Sequence, residues 1–267
     1  MPTPCPPARP VSGVGPYDLA MERPRLLLVP SLTELHWLIR PLLEEWADVA
    51  SYDPPGVGHE PSVEGPVLDA NASRGLAELE ARDWARCVVV GDVSGGVAAI
   101  TLARIASGRV VGIALGHAAL SYRRHGPRAS LSPEVDAALT RMMAVDYRGA
   151  VRQELGIWDP RRGAAAEPPP NGLVDRIVQR LPASTAIALS NALGREAEAA
   201  GDLEPSLRPL GLPLLLAKHQ GCVSHTDEGF DDAVAAFPDA ETVVCSVRPS
   251  VSKEFATALR EFCARVW

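Results

Sequence analysis

Short, continuous apolar segments alternate with segments of helical periodicity over most of this 267-residue chain. The apolar segments are RLLLVP (25–30), DVASYD (48–53), CVVVGD (87–92), RVVGIALG (109–116), LPLLLAK (212–218) and ETVVCSV (241–247). A strand that is buried on both faces has this continuous apolar pattern, and strands that alternate with helices require crossover connections. The alternation therefore predicts an α/β fold with a mostly parallel, doubly wound sheet.

The alternation is interrupted over residues 121–204, where only helical patterns occur, divided by a Pro-rich break at 160–172. We interpret this segment as a helical cap inserted into a core that comprises 25–120 and 205–267. In open α/β sheets, ligands bind at the carboxyl ends of the strands. A cap at that end would close the binding site.

Charge and cysteine content exclude several classes of protein. A net charge of −7 argues against a non-specific nucleic-acid binder or a polybasic membrane-surface protein. No apolar run reaches the ~18 residues that a membrane span needs, and residues 1–24 are expected to be a Pro-rich tail without the apolar stretch of a signal peptide. The five cysteines show no C-x-x-C spacing. We therefore expect a cytoplasmic, disulfide-free protein that binds no metal.

Four segments resemble the α/β-hydrolase superfamily in their order and spacing. They are LLLVPSL (26–32), similar to the strand and loop that supply one oxyanion-hole N–H; YDPPGVGHEP (52–61), similar to the D-x-P-G-x-G turn; VVVGDVSGGVAAITLA (88–103), similar to the nucleophile elbow; and LPLLLAKHQGC (212–222), similar to the next-to-last strand. The resemblance covers about 25–267 and implies an α/β-hydrolase fold with an inserted helical cap.

The positions of the family's catalytic triad depart from its pattern. The G-x-S-x-G elbow reads GDVSG (91–95), so Val93 stands where the nucleophile is expected. The loop 246–255 lacks the family's general base, since no histidine follows His225, and Cys222 or the glycine before it stands near the acid position. The resemblance therefore implies a degenerate triad. An engineered substitution at residue 93 would explain the valine but not the missing histidine.

The resemblance still implies an oxyanion hole, formed by the backbone N–H of Ser94 and that of Ser31 or Leu32. If the family's motif is aligned one residue further along the sequence, Ser94 becomes the nucleophile instead. That alternative puts Asp92 where the first glycine of the motif is needed, and it supplies no C-terminal histidine.

Two histidines follow predicted strands and are candidate general bases. His117 follows the fourth strand and His219 the fifth, and an imidazole titrates close to neutral pH. The alternative for His117 is a polar residue that is hydrogen-bonded at the end of a strand, and the alternative for His219 is a structural role in a turn. Asp92 either orients a histidine or caps the helix that begins near Ser94. Substrate contacts are expected from Ser31, Leu32, Asp92, Val93, Tyr122 and Cys222.

These residues favour a non-hydrolytic enzyme that uses an oxyanion hole and a general base, without a cofactor. A lyase that eliminates acetate from an acylated polyketide- or tetronate-like substrate, or a cyclase, fits this pattern in secondary metabolism. The alternatives are a pseudo-enzyme that binds a small hydrophobic ligand and an esterase that uses Ser94. In each case the partner is an apolar or polyketide-like small molecule, and a homodimer is compatible with the sequence.

Overall fold

A six-stranded parallel sheet with the order β2-β1-β3-β4-β5-β6 forms the centre of the protein. The computed structural model describes residues 22–117, 120–125, 141, 143–152, 172–220 and 227–267. The strands are β1 (Arg25–Val29), β2 (Asp48–Ser51), β3 (Cys87–Asp92), β4 (Val110–Gly116), β5 (Leu214–His219) and β6 (Glu241–Cys245). The predicted α/β class with a parallel sheet is confirmed.

Helices cover both faces of the sheet. They are α1 (Arg40–Glu44), α2 (Val67–Ala81), α3 (Ser94–Ile105), α4 (Tyr122–His125), α5 (Tyr147–Arg152), α6 (Leu173–Arg180), α7 (Ala183–Ala200), α8 (Glu204–Leu207), α9 (Asp227–Ala236) and α10 (Lys253–Val266). Alternate residues of each strand point to opposite faces. Leu27 and Val89 therefore pack on the face that contains α2 and α3, whereas Leu26 and Val88 pack on the face of Phe255 in α10. None of the helices in the described part of the chain has the length and apolar character that a membrane span requires.

Proline divides the helical pattern at 172–193 into two helices. Helix α6 ends before Leu181, which has φ −129° and ψ 85°, and α7 begins after Pro182. A residue that precedes proline is pushed out of the helical region, because the proline ring clashes with its backbone. The two helices can therefore run in different directions.

The two ends of the segment 121–204 lie beside each other. An antiparallel bridge joins Ser121 to Asp202, and the Ser121 hydroxyl donates to the Asp202 carboxylate at 2.5 Å. The backbone N–H of Leu203 donates to the carbonyl of Leu120 at 2.7 Å. The segment therefore leaves and re-enters the remainder of the chain at one place. Residues 1–21 of the predicted tail lie outside the described residues.

Helix α6 of the inserted segment is tied to loops at the carboxyl ends of β1 and β2. The Arg180 guanidinium pairs with Glu34 at 2.8 Å and with Asp53, and the Arg180 carbonyl accepts the backbone N–H of Gly58 at 2.9 Å. Burial raises the pKa of Glu34, and the neighbouring Asp53 raises it further. These contacts hold α6 next to the loops that follow the carboxyl ends of β1 and β2.

Candidate active site

Val93 occupies a sharp turn between β3 and α3. Its φ of 53° and ψ of −126° lie in a region that β-branched residues rarely adopt. The turn is tight on both sides: a Cβ on Gly91 would lie 2.5 Å from the Gly95 carbonyl oxygen, and one on Gly95 would lie 2.6 Å from that of Val29. The elbow geometry is therefore present, and an aliphatic side chain stands at its apex. Ser94, by contrast, is the first residue of α3.

The loop after β1 meets the elbow through two hydroxyl groups. The Oγ atoms of Ser31 and Ser94 lie 2.6 Å apart, and Ser94 is buried. The side-chain amide of Asn71 donates to the carbonyl of Pro30 at 2.8 Å. Because a trans peptide is planar, this bond also fixes the Ser31 N–H, which points away from Asn71. The other candidate donor, Leu32, is half-buried and packs against the core.

Asp92, His117 and His219 form a chain of short contacts across the ends of β3, β4 and β5. The Oδ1 of Asp92 lies 2.6 Å from Nδ1 of His117, and Nε2 of His117 lies 2.7 Å from Nδ1 of His219. The two imidazole rings meet edge to face, at an interplanar angle of 89°. Asp92 and His117 are buried, whereas His219 is half-buried. This row of three side chains thus runs from the interior outward and ends at His219.

The direction of the hydrogen bonds follows from the chemistry of the groups. An ionised carboxylate only accepts, so His117 donates its Nδ1–H to Asp92 and keeps a lone pair on Nε2. His219 then donates its Nδ1–H to that lone pair and carries its own lone pair on Nε2. Within the described part of the chain, the Nε2 of His219 makes no hydrogen bond. His219 is therefore the proton-accepting end of the three hydrogen-bonded residues Asp92, His117 and His219.

Two residues at the end of β4, Gly116 and His117, allow Asp92, His117 and His219 to lie in contact. A Cβ on Gly116 would lie 2.8 Å from the Asp92 Oδ1 and 3.1 Å from the Pro249 Cβ, so only glycine fits beside the carboxylate. The next residue, His117, has a φ of 50°, which histidine tolerates better than most residues. This left-handed residue ends β4 and turns the imidazole between Asp92 and His219.

Some candidate residues take other roles or lie outside the described residues. The N-cap position of α3 is Val93 and not Asp92, and the Asp92 carboxylate contacts His117. The backbone of Tyr122 begins α4, whereas the side chain of Tyr122 and all of Cys222 lie outside what the structure describes. No group of three or more His, Cys, Asp or Glu residues that could hold a metal ion occurs among the described residues.

The sequence interpretation missed Arg248. Its Nη2 lies 3.6 Å from the Oδ2 of Asp92, the carboxylate oxygen that His117 does not use. Arg248 belongs to the loop 246–255, which the sequence analysis noted only for its lack of histidine. A basic residue in that loop was the available signal.

Burial is the largest cause of the raised pKa values of Tyr147 and Cys245. Burial raises the pKa of Tyr147, in α5 of the inserted segment, to about 12. Burial is also the largest cause of the raised pKa of Cys245, which the negative charge of Asp92 raises further. Both groups are therefore neutral near pH 7, and neither supplies a charged nucleophile.

No family model and no curated protein matches the chain, but solved structures do. An enzyme described as degrading N-acyl homoserine lactones is 21% identical over 90% of this chain and 93% of that one, with a TM-score of 0.66. An esterase from Rhodococcus sp. is 19% identical over 92% of both chains, with a TM-score of 0.65. The enol-lactonase from Burkholderia xenovorans is 20% identical over 92% of this chain and 94% of that one, with a TM-score of 0.66. These neighbours are hydrolases that share the parallel sheet and flanking helices, and this chain has the α/β-hydrolase fold.

Proposed function

We propose that this protein is an enzyme that acts on a small carbonyl substrate by general acid–base catalysis, with His219 as the base and no covalent serine intermediate. One observation carries the proposal: the Asp92–His117–His219 chain ends at an imidazole nitrogen that makes no hydrogen bond within the described residues. An imidazole with a hydrogen-bonded partner behind it is suited to take up a proton near neutral pH.

The reaction class we propose is elimination from a β-acyloxy carbonyl compound. His219 Nε2 removes the proton α to the carbonyl, and the backbone N–H groups of Ser31 and Ser94 stabilise the enolate oxygen. The enolate then expels acetate from the β-carbon, so the C–O bond electrons leave with the acetate and a C=C bond forms. The proton on His219 passes to solvent. Val93 supports this scheme, because an aliphatic elbow residue cannot capture the acyl group.

The proposal is tested with a β-acetoxy ketone of polyketide type in H₂¹⁸O. Elimination breaks the alkyl–oxygen bond, so the released acetate contains no solvent oxygen, whereas ester hydrolysis incorporates one ¹⁸O. We expect unlabelled acetate and an enone product. We also expect His219→Ala and His117→Ala to lower kcat/KM by about 10²–10⁴-fold, the usual contribution of a general base.

The matched control for these variants is His59→Ala, because His59 is exposed and lies in the loop after β2. This variant should retain the parent rate. Labelled acetate, or full activity of His219→Ala, would overturn the proposal. If the same compound stabilises the protein against thermal unfolding but no product forms, the protein is instead a ligand-binding pseudo-enzyme.

A second candidate function is ester hydrolysis with Ser94 as the nucleophile. The contact that favours it is the 2.6 Å pair of the Ser31 and Ser94 hydroxyls beside the elbow. The named structural neighbours are an esterase, an enol-lactonase and an enzyme that degrades N-acyl homoserine lactones. A fluorophosphonate that labels the parent protein but not Ser94→Ala, together with turnover of p-nitrophenyl acetate, would favour this candidate over elimination.

A further inference from the structure

Arg248 and His117 lie next to different oxygens of the Asp92 carboxylate. His117 Nδ1 lies 2.6 Å from Oδ1, and Arg248 Nη2 lies 3.6 Å from Oδ2. We propose that Arg248 is a positioning residue, whose guanidinium holds Asp92 as the acceptor of the His117 Nδ1–H and thereby keeps the lone pair of His219 available. This inference rests on the proposed function, because it concerns the same three residues.

The alternative protonation state shows why a fixed positive charge matters there. If Asp92 carried a proton, it would donate to His117 Nδ1, and His117 would donate from Nε2 to His219. His219 would then carry its proton on Nε2 and could accept no other. The Asp92 side chain is only 6% exposed, and a buried carboxylate without a nearby cation favours the neutral form. Arg248 opposes that state.

The loop that holds Arg248 is well anchored. The Arg248 carbonyl accepts the backbone N–H of Val251 at 3.0 Å, and the Ser250 carbonyl accepts that of Ile39 at 3.2 Å. Ser252, which is fully buried, caps α10 by accepting the N–H of Phe255 at 3.1 Å. The backbone from Arg248 to Ser252 is therefore held in place by hydrogen bonds.

Titratable and charged groups lie near Asp92 on β5 and β6, at the end of β4 and in the loop after β6. His117 reaches it from the end of β4, with His219 of β5 behind, and Arg248 from the loop after β6. Cys245 of β6 is close enough for the charge of Asp92 to raise the pKa of its thiol. That thiol is neutral near pH 7, whereas the guanidinium of Arg248 is a permanent positive charge.

The test follows the histidine protons by ¹⁵N NMR of the full-length protein, which needs no substrate. In the parent protein at pH 7 we expect His117 to be protonated at Nδ1 and unprotonated at Nε2. Arg248→Met removes the opposing charge, so we expect the His117–His219 pair to take up its proton about tenfold more readily, at correspondingly higher pH. Arg248→Lys keeps the charge and should remain closer to the parent.

The control is Arg208→Met, which removes an exposed arginine that pairs with Glu204 in α8. This variant should leave the histidine titration unchanged. If Arg248→Met titrates as Arg208→Met does, the inference is wrong. If Arg248→Met does not fold, Arg248→Lys decides the question: a histidine titration that departs from the parent by a full tenfold would contradict a role for the charge.

The same variants separate this inference from the proposed function. With the β-acetoxy ketone, the acid limb of the kcat/KM profile should move to higher pH in Arg248→Met, with little change in the limiting rate. If the NMR results for the parent protein and Arg248→Met are as expected but no turnover occurs, the proposed enzymatic activity is refuted and the role of Arg248 is supported. Turnover that depends on His219, with an unmoved acid limb in Arg248→Met, would refute the role of Arg248 alone.

Discussion

At the scale of single residues, the elbow concentrates backbone strain in Val93, whose φ is 53°. Only glycine adopts such a conformation without steric cost. We predict that Val93→Gly is more stable to urea than Val93→Ala by about 1 kcal/mol, because the two differ chiefly in backbone freedom. Ala77 lies exposed in the middle of α2, so Ala77→Gly should show the opposite sign and cost about 1 kcal/mol. Equal stabilities of the two Val93 variants would contradict a strained elbow.

Gly116 provides a second prediction at the residue scale. An added Cβ would lie 2.8 Å from the Asp92 carboxylate, whereas one on Gly96 would meet Leu115 at an ordinary 3.5 Å. We expect Gly116→Ala to lose about 1–3 kcal/mol of unfolding free energy and to disturb the His117 NMR signals. Gly96→Ala lies inside α3 and should be neutral or stabilising by up to about 1 kcal/mol. Undisturbed His117 signals in Gly116→Ala would show that the carboxylate is not tightly confined.

The sequence identifies the residue types of the candidate site better than their connections. His117, His219 and Asp92 each follow or end an apolar strand, so their place at one edge of the sheet is predictable. Their mutual contacts depend on the left-handed turn at His117, and no residue pattern specifies that turn. The Ser31–Ser94 contact likewise joins residues that are 63 positions apart.

At the scale of elements, the contact between α6 and the core is predicted to be a substantial source of stability. The side chain of Asp53 is only 2% exposed, and Arg180 is its cation. Arg180→Met leaves that carboxylate buried without the cation, and we expect a loss of about 2 kcal/mol in urea unfolding. Arg148 pairs with Asp175, and both side chains are more than half exposed. Arg148→Met should therefore change the stability by less than about 0.5 kcal/mol. Similar losses in both variants would show that burial does not distinguish the two pairs.

The sequence predicts elements well where apolar runs are long and less well where proline interrupts them. All six predicted strands occur, and none of their ends differs from the prediction by more than two residues. The segment ELHWLIRPLLEEW (34–46) has the periodicity of one helix. It forms a short 3-10 turn at Glu34–His36 followed by α1, in which Pro41 occupies the first turn. Trp37 between them has a ψ of 73°, so the helix does not continue through it. Local φ and ψ choices of this kind do not alter the apolar periodicity, and the pattern therefore does not reveal them.

At the scale of the whole molecule, the sheet separates two apolar layers that share the same strands. Cys87 belongs to the layer with α2 and α3, whereas Cys245 and Cys263 belong to the layer with α10. All three thiols are free and buried, and burial raises the pKa of Cys87 and Cys263 to about 12. Alkylation needs an exposed thiolate, so each thiol reports on opening of its own layer.

Because β1 to β5 each contribute residues to both layers, we predict that the two layers unfold as one cooperative unit. In a background with Cys5→Ser and Cys222→Ser, the three remaining thiols should be alkylated at a common rate as urea rises, and that rate should follow global unfolding. Peptide mass spectrometry after timed iodoacetamide pulses resolves the three sites. Faster labelling of Cys263 than of Cys87 would show that α10 detaches by itself and that the two layers are not coupled.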